Sequence, residues 1–231
     1  LYDDEFHKAL YNTAIYTLWV VPIQTFIALV LAAVLNQNLL ARNFFRAAFF
    51  FPSISSSVVI TMIFIWIFNA SGIFNALLSW AGMHGADWLG DPKYALKAIM
   101  ALNIWTTTGT LMVIFLAALQ NVPPQIYEAA AMDGAGHVQI FFRITIPLMR
   151  PVIFFVVILG MIGCFQMFDQ AFVASGGGGG PVNSTLTAVF FIYLAGFKYF
   201  DMGYACAAAF ILFAVIFAAT ILQRKLMPDR G

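Results

Sequence analysis

The chain has 231 residues, of which 62% are hydrophobic and 9% charged, with a mean hydropathy of +0.90 and a formal net charge of +1. No water-soluble domain of this length can hide so much apolar side chain, so its surface must face lipid. The charge balance and the lack of a basic run exclude a nucleic-acid partner, and the continuous apolar runs exclude the alternating pattern of an outer-membrane barrel.

A bilayer core of about 30 Å takes roughly 20 residues of helix. Five stretches qualify: 12–35, 46–69, 97–120, 148–174 and 203–223. The sequence opens at Leu1 with neither a methionine nor a basic-then-apolar leader, so a further helix is expected before it. The first span holds Pro22 and Gln24 and the second Pro52, two prolines able to kink their spans; Ser53, Ser55, Ser56 and Ser57 are expected either to meet freed backbone groups or, by default, to allow tight helix packing. Ile73–Met83 is too short to cross and falls in the class of interfacial or re-entrant segments. The third span carries Asn103 and Thr107, and the fourth carries Gln166, with Asp169 near its far boundary. Gln24, Asn103, Thr107 and Gln166 are the candidates to line a polar pathway, or equally to bond a neighbouring helix.

Between the third and fourth spans, 121–147 reads as two short helices. Pro123 and Pro124 suit a first helical turn, Gln125 to Met132 contains no breaker, and Gly134 and Gly136 permit a sharp exit. His137 to Ile146 mixes Ile140, Phe141, Phe142 and Ile144 with His137, Gln139 and Arg143, as in a helix lying at the membrane surface. Pro147 marks a break before the fourth span. After that span, 175–202 forms a second loop with glycines 176–180 and a short apolar stretch, Thr187–Phe197, read as interfacial or re-entrant. No Gly-Lys-Ser or Gly-Lys-Thr follows the glycines, so they make a flexible loop and not a phosphate cradle.

Five spans put Arg42, Arg46, Arg143, Arg150, Arg224, Lys225 and Arg230 on one side, which the positive-inside bias makes cytoplasmic. Lys8, Lys93, Lys97 and Lys198 fall outside together with Asp3, Asp4, Glu5, Asp87, Asp91 and Asp201. The loop 121–147 and the C-terminus are then cytoplasmic, and 70–96 and 175–202 face outward. Cys164 and Cys206 sit in apolar runs, and His7, His84 and His137 have no ligand spacing, so no metal site is expected. An intramembrane protease is disfavoured by the absence of Gly-x-Ser-x-Gly and of any histidine within a span.

Glu128-Ala129-Ala130, three residues, Gly134, nine residues, then Ile144-Thr145-Ile146-Pro147 resembles the EAA loop of binding-protein-dependent ABC importer permeases. Ile146 stands where the family pattern has Leu, and keeps its apolar character. Val122-Pro123 is similar to the family's approach to that loop. Gly178-Gly179-Gly180-Pro181 with Thr185 resembles the outer segment of carbohydrate-type members, the maltose, glycerol-phosphate and lactose permease group.

The resemblance implies an all-α polytopic transmembrane bundle of the type I permease fold, with residues 1–231 forming a single permease domain in a bacterial or archaeal cytoplasmic membrane. It implies a transport subunit and not an enzyme, half of a pathway for a sugar, oligosaccharide or related solute. Its partners would be a second, similar permease subunit forming a heterodimer with this chain, a dimer of ABC ATPases and an extracytoplasmic solute-binding protein. ATP and magnesium would be bound by the ATPase, with no cofactor on this chain. Glu128, Ala129, Ala130, Asp133, Gly134, Ile144 and Pro147 would couple to the ATPase, with Glu128 as charged anchor and Ala129 and Ala130 as close-approach surface. Gly178, Gly179, Gly180, Pro181 and Thr185 would make outer contacts. The alternatives are an ion-coupled secondary transporter and an importer permease for a non-sugar solute.

Overall fold

The computed structural model describes residues 4–37 and 40–226; Asp3 and Arg230, used above in assigning sides, lie outside the described residues. In chain order the helices are α1 (Asp4–Leu35), α2 (Arg42–Ile54), α3 (Ser57–Ile67), α4 (Ile73–Trp80), α5 (Ala95–Gln120) and α6 (Pro124–Met132). They continue with α7 (His137–Ile140), α8 (Ile146–Leu148), α9 (Arg150–Phe165), α10 (Asp169–Ala174), α11 (Ala188–Tyr193) and α12 (Met202–Leu226). The chain is an all-helical membrane protein: α1, α5, the α9–α10 unit and α12 are each long and apolar enough to cross a bilayer, and α2 with α3 makes a fifth crossing if the pair counts as one.

The pair α2–α3 departs from the single span expected over 46–69: its helices meet at 98°. α2 continues past Pro52 to Ile54 and ends where Ser55 (ψ 154°) and Ser56 (ψ 126°) turn extended. The hydroxyl of Ser53 donates to the Phe50 carbonyl (2.6 Å) and that of Ser55 to the Phe51 carbonyl (3.1 Å). Of the two roles open to the serines, Ser53 and Ser55 turn their hydroxyls to carbonyls in the last turns of α2. Pro22, by contrast, leaves α1 unbroken.

Contacts along the bundle fix the direction of each helix. Thr107 of α5 donates to Gln24 of α1 (2.6 Å), and the last turns of both helices share one buried cluster through Ala32, Leu35, Leu116 and Leu119, so α1 and α5 are parallel. Gly160 of α9 lies beside Gln24 and Val21, while Ile153, nearer the start of α9, packs on the buried cluster that holds Leu29, so α9 runs the other way. The amide of Gln223 in α12 reaches the Phe154 carbonyl (3.4 Å), and Tyr204 packs on Phe191, which returns α12 to the direction of α1. Parallel α1 and α5 need the segment between them to cross back, and the bent α2–α3 pair supplies that crossing. Arg42, Arg46, Arg143, Arg150, Arg224 and Lys225 thus gather at one end of the bundle.

Water-driven burial does little to hold membrane helices to one another; close approach and polar contacts do more. Ala28 and Ala32 of α1 are fully buried against α5. At the other end, the hydroxyl of fully buried Thr13 donates to the Ala9 carbonyl (2.8 Å) and accepts from the Ala188 amide (2.9 Å). Thr13→Val removes that acceptor and leaves a buried N–H unpaired, at a cost of about 1–3 kcal/mol. The expected result is a lower thermal midpoint in detergent, whereas Thr17→Val, whose hydroxyl bonds only within α1, should change it much less.

Candidate functional site

The residues 121–147 form a compact helical loop at the arginine-rich end. Pro123 (φ −56°) precedes α6 and Pro124 occupies its first turn, where a missing amide costs nothing. Gly134 (φ +77°) closes the helix: its amide donates to Ala131 (3.0 Å) and the Ala135 amide to Ala130 (3.0 Å), the paired bonds of a Schellman cap. A Cβ on Gly134 meets no atom within 4 Å, so the constraint is purely in the backbone. Gly134→Ala should destabilise α6 by about 1 kcal/mol. Gly136 has φ −73° and tolerates a side chain. Faster protease cleavage within the loop of G134A, and an unchanged rate for G136A, is the expected pattern.

Along α6, Gln125, Glu128, Ala129 and Met132 fall at helical spacing on an exposed face, with Met132 88% exposed. Ala130 is buried and faces the bundle, so of the two alanines expected to offer a close-approach surface only Ala129 is available. Gln125 and Met132, three residues before and four after Glu128, share its exposed face, which helical spacing reveals and the contiguous letters do not. Asp133 ends α6 and is exposed, and Ile144 is half-buried.

The second half of the loop also differs from expectation. α7 passes through a π-helical turn (Phe141–Thr145) into α8, so Pro147 lies inside a continuous helical path and does not break it. The wider turn lets the Ile146 amide reach the Phe141 carbonyl just ahead of the proline, and regular geometry relaxes only at Met149 (φ −83°, ψ −1°). Thr145 is buried and Phe142 exposed, so this helix leans on the bundle by one edge. Between α6, α7 and the last turns of α1 and α5 lies a cavity of about 390 Å³, bordered by Asn36, Leu119, Tyr127, Ala131, His137 and Phe141.

The pathway candidates separate. Gln24 is buried and accepts from Thr107, and its amide sits over Gly160, where a Cβ would lie 2.7 Å from Nε2. Asn103 donates to Gln170 (3.2 Å), which in turn reaches Thr106 (3.4 Å). These groups bond neighbouring helices. Gln166 alone is exposed, at the break between α9 and α10. That break is stitched by Thr187, whose hydroxyl donates to the Met167 carbonyl (2.8 Å). Asp169 is exposed in the first turn of α10, toward the end away from the arginines.

The glycine loop expected to be flexible is instead a folded strap. Gly176, Gly177, Gly179 and Gly180 all have positive φ, and the Thr185 amide donates to the Gly179 carbonyl (3.0 Å). Asn12 of α1 donates to the carbonyls of Asn183 (3.0 Å) and Leu186 (2.9 Å), and Lys8 to that of Val182. Thr185 and Gly179 are buried, so neither is offered to an outside partner, whereas Gly178 is exposed and Gly180 and Pro181 partly so. Thr187–Phe197 lies within the helical stretch Ala188–Lys198 from its second residue on, and Phe190 and Phe191 bury it in the bundle.

Residues 12–230 match the family described as binding-protein-dependent transport system inner membrane component. The lactose transport system permease protein LacF of Rhizobium radiobacter is 38% identical over 225 residues, covering 96% of this chain and 76% of that protein. The arabinooligosaccharides transport system permease protein AraP of Halalkalibacterium halodurans is 37% identical over 221 residues, covering 94% and 70%. A chain from the crystal structure of a bacterial alginate ABC transporter in complex with an alginate pentasaccharide-bound periplasmic protein superposes with a TM-score of 0.86 at 21% identity, covering 98% of this chain and 80% of that one.

Proposed function

This chain belongs to the binding-protein-dependent transport system inner membrane components, and from that premise we propose that it is half of the pathway through which an ATP-driven importer takes up a sugar or oligosaccharide. The observation that carries the coupling is α6: a capped helix with Glu128 on its exposed face, held between two long spans at the arginine-rich end. The positive-inside bias makes that end cytoplasmic, where an ATPase docks on α6. The solute class follows from relatives whose names specify lactose and arabinooligosaccharides.

A second permease subunit completes the pathway, and a solute-binding protein delivers at the opposite end. MgATP is bound and hydrolysed by the ATPase pair, and no bond of the solute changes. Closure of the ATPases on ATP moves α6, and with it α5 and α9, so that the paired permeases open toward the binding protein; hydrolysis resets them. Gln166 is the side chain of this chain best placed to meet solute, since the other polar candidates are engaged between helices.

Proteoliposomes holding the assembled transporter test this reading. Uptake of a labelled oligosaccharide that needs internal ATP and the binding protein is the expected result. Uptake driven by a sodium or proton gradient without ATP would instead establish an ion-coupled carrier, and ATP-driven uptake of a non-sugar solute would overturn the solute class alone.

A further inference from the structure

The stretch that holds α3 and α4 is free of fixed charge: no Asp, Glu, Lys or Arg occurs from Ala47 through Ala86. Within it, α4 has two dissimilar faces. Gly72, Asn75, Ala76 and Ser79 border a cavity of about 460 Å³ whose far wall is Gly85, Ala86 and Asp87. Asn75 organises that side: its amide donates to the Ala86 carbonyl (2.8 Å) and its carbonyl accepts from the Ala86 amide (3.2 Å) and the Trp88 indole (2.7 Å). Ile73, Leu77 and Trp80 recur at the other helical spacing and are 50%, 58% and 90% exposed.

The depth of α4 is fixed by aromatic contacts. Phe74 packs on Phe68 and Trp88 (centroids 5.3 and 5.2 Å), and Trp88 packs on Tyr94, just before α5 begins. α4 therefore sits level with the end of α3 and the start of α5, the ends of two membrane-crossing segments. Its apolar edge follows, in sequence, an exposed stripe on α3 formed by Val59, Met62, Ile63 and Trp66. A water-facing loop does not present Ile, Leu and Trp in a row without a single charge among them, and a Trp at this depth suits the interfacial belt.

We propose that α4 is a lipid-anchoring helix, lying in the headgroup boundary at the end of the bundle away from the arginines, with Ile73, Leu77 and Trp80 against the acyl chains and Ala76, Ser79 and Asp87 toward water. The partner is the bilayer itself, and the inference rests on the chain's membrane placement, not on its solute. Because α4 is tied through Asn75 and Trp88 to the start of α5, lipid contact sets the height of that helix.

Spin labels on single cysteines test it in the assembled transporter in nanodiscs, with Cys164 and Cys206 replaced by alanine and ATP-driven uptake used to confirm assembly. Labels at Ile73, Leu77 and Trp80 should collide more with oxygen than with a water-soluble nickel chelate, as should a reference label at Met62. Labels at Ala76 and Ser79 should show the opposite ratio. Nickel-dominated collisions at all five α4 positions would put the helix in water, and exclusion of both reagents at Ile73 and Leu77 would put a protein over it; either overturns the proposal. Agreement between Ile73 and Leu77 guards against a label that distorts one site. Loss of sugar uptake specificity alone would bear on the proposed function and leave the collision pattern unchanged.

Discussion

Glu128→Ala should leave the chain folded in the membrane and abolish both ATP-driven uptake and co-purification of the ATPase. The side chain stands on the exposed face of a helix that buries only Ala130, so its removal opens no cavity and frees no internal partner. What it removes is the one acidic group on the α6 face with Ala129 and Met132. Truncating one partner of a desolvated charge pair costs about 2–5 kcal/mol, a factor of roughly 30 to several thousand in affinity. Glu128→Gln, which keeps size and hydrogen bonding, should retain part of the association. Ala130→Leu supplies the contrast: it strikes the inward face and should lower thermal stability before it touches docking. Unchanged uptake and unchanged co-purification for correctly inserted E128A would remove Glu128 as the anchor.

Gly109→Val is expected to have the largest effect on folding. A Cβ at this position would stand 2.3 Å from the Phe49 carbonyl oxygen and 3.0 Å from the Phe50 Cα, so α2 rests its backbone directly on α5 here. Neither atom belongs to a side chain that can rotate away, and the helix pair must separate. Overpacking of this kind costs about 1–3 kcal/mol or more, and the separation would also disturb the crossing made by α2 and α3. Gly163→Val is the matched control, since a Cβ there meets nothing within 4 Å. Size-exclusion profiles and thermal midpoints in detergent should show G109V aggregated or strongly destabilised and G163V close to wild type.

The long apolar spans were legible because lipid imposes a minimum length on a helix, and α1, α5, the α9–α10 unit and α12 all meet it. The loop was legible because its chemistry is local: prolines open α6 and a left-handed glycine closes it. Local reading failed where distant residues decide. Nothing near Ser55 says that two helices will meet at 98°, although Pro52 and the serines mark a weakness. The glycine run read as a flexible loop, and Thr185 as an outer contact by its resemblance to the family segment, yet Asn12, 171 residues away from Asn183, ties that strap down. Gln170 escaped notice because its partners Asn103 and Thr106 lie on another helix. Pro147 read as a stop because a π turn that accommodates it leaves no signature in the letters.

The cavity under α6 bears on how force travels. With about 390 Å³ of space behind it and only Ala130 seated, α6 has slack toward the membrane. A push along that direction would be absorbed before it reached the spans. A tilt or a pull is different, because both ends of the loop are taut: Pro123 follows closely on the last turn of α5, and the helical path from His137 runs through Pro147 almost without interruption into α9. Under the proposed coupling, the loop would act as a lever with two stiff arms and a soft middle, passing torque on α6 to α5 and α9 more directly than compression.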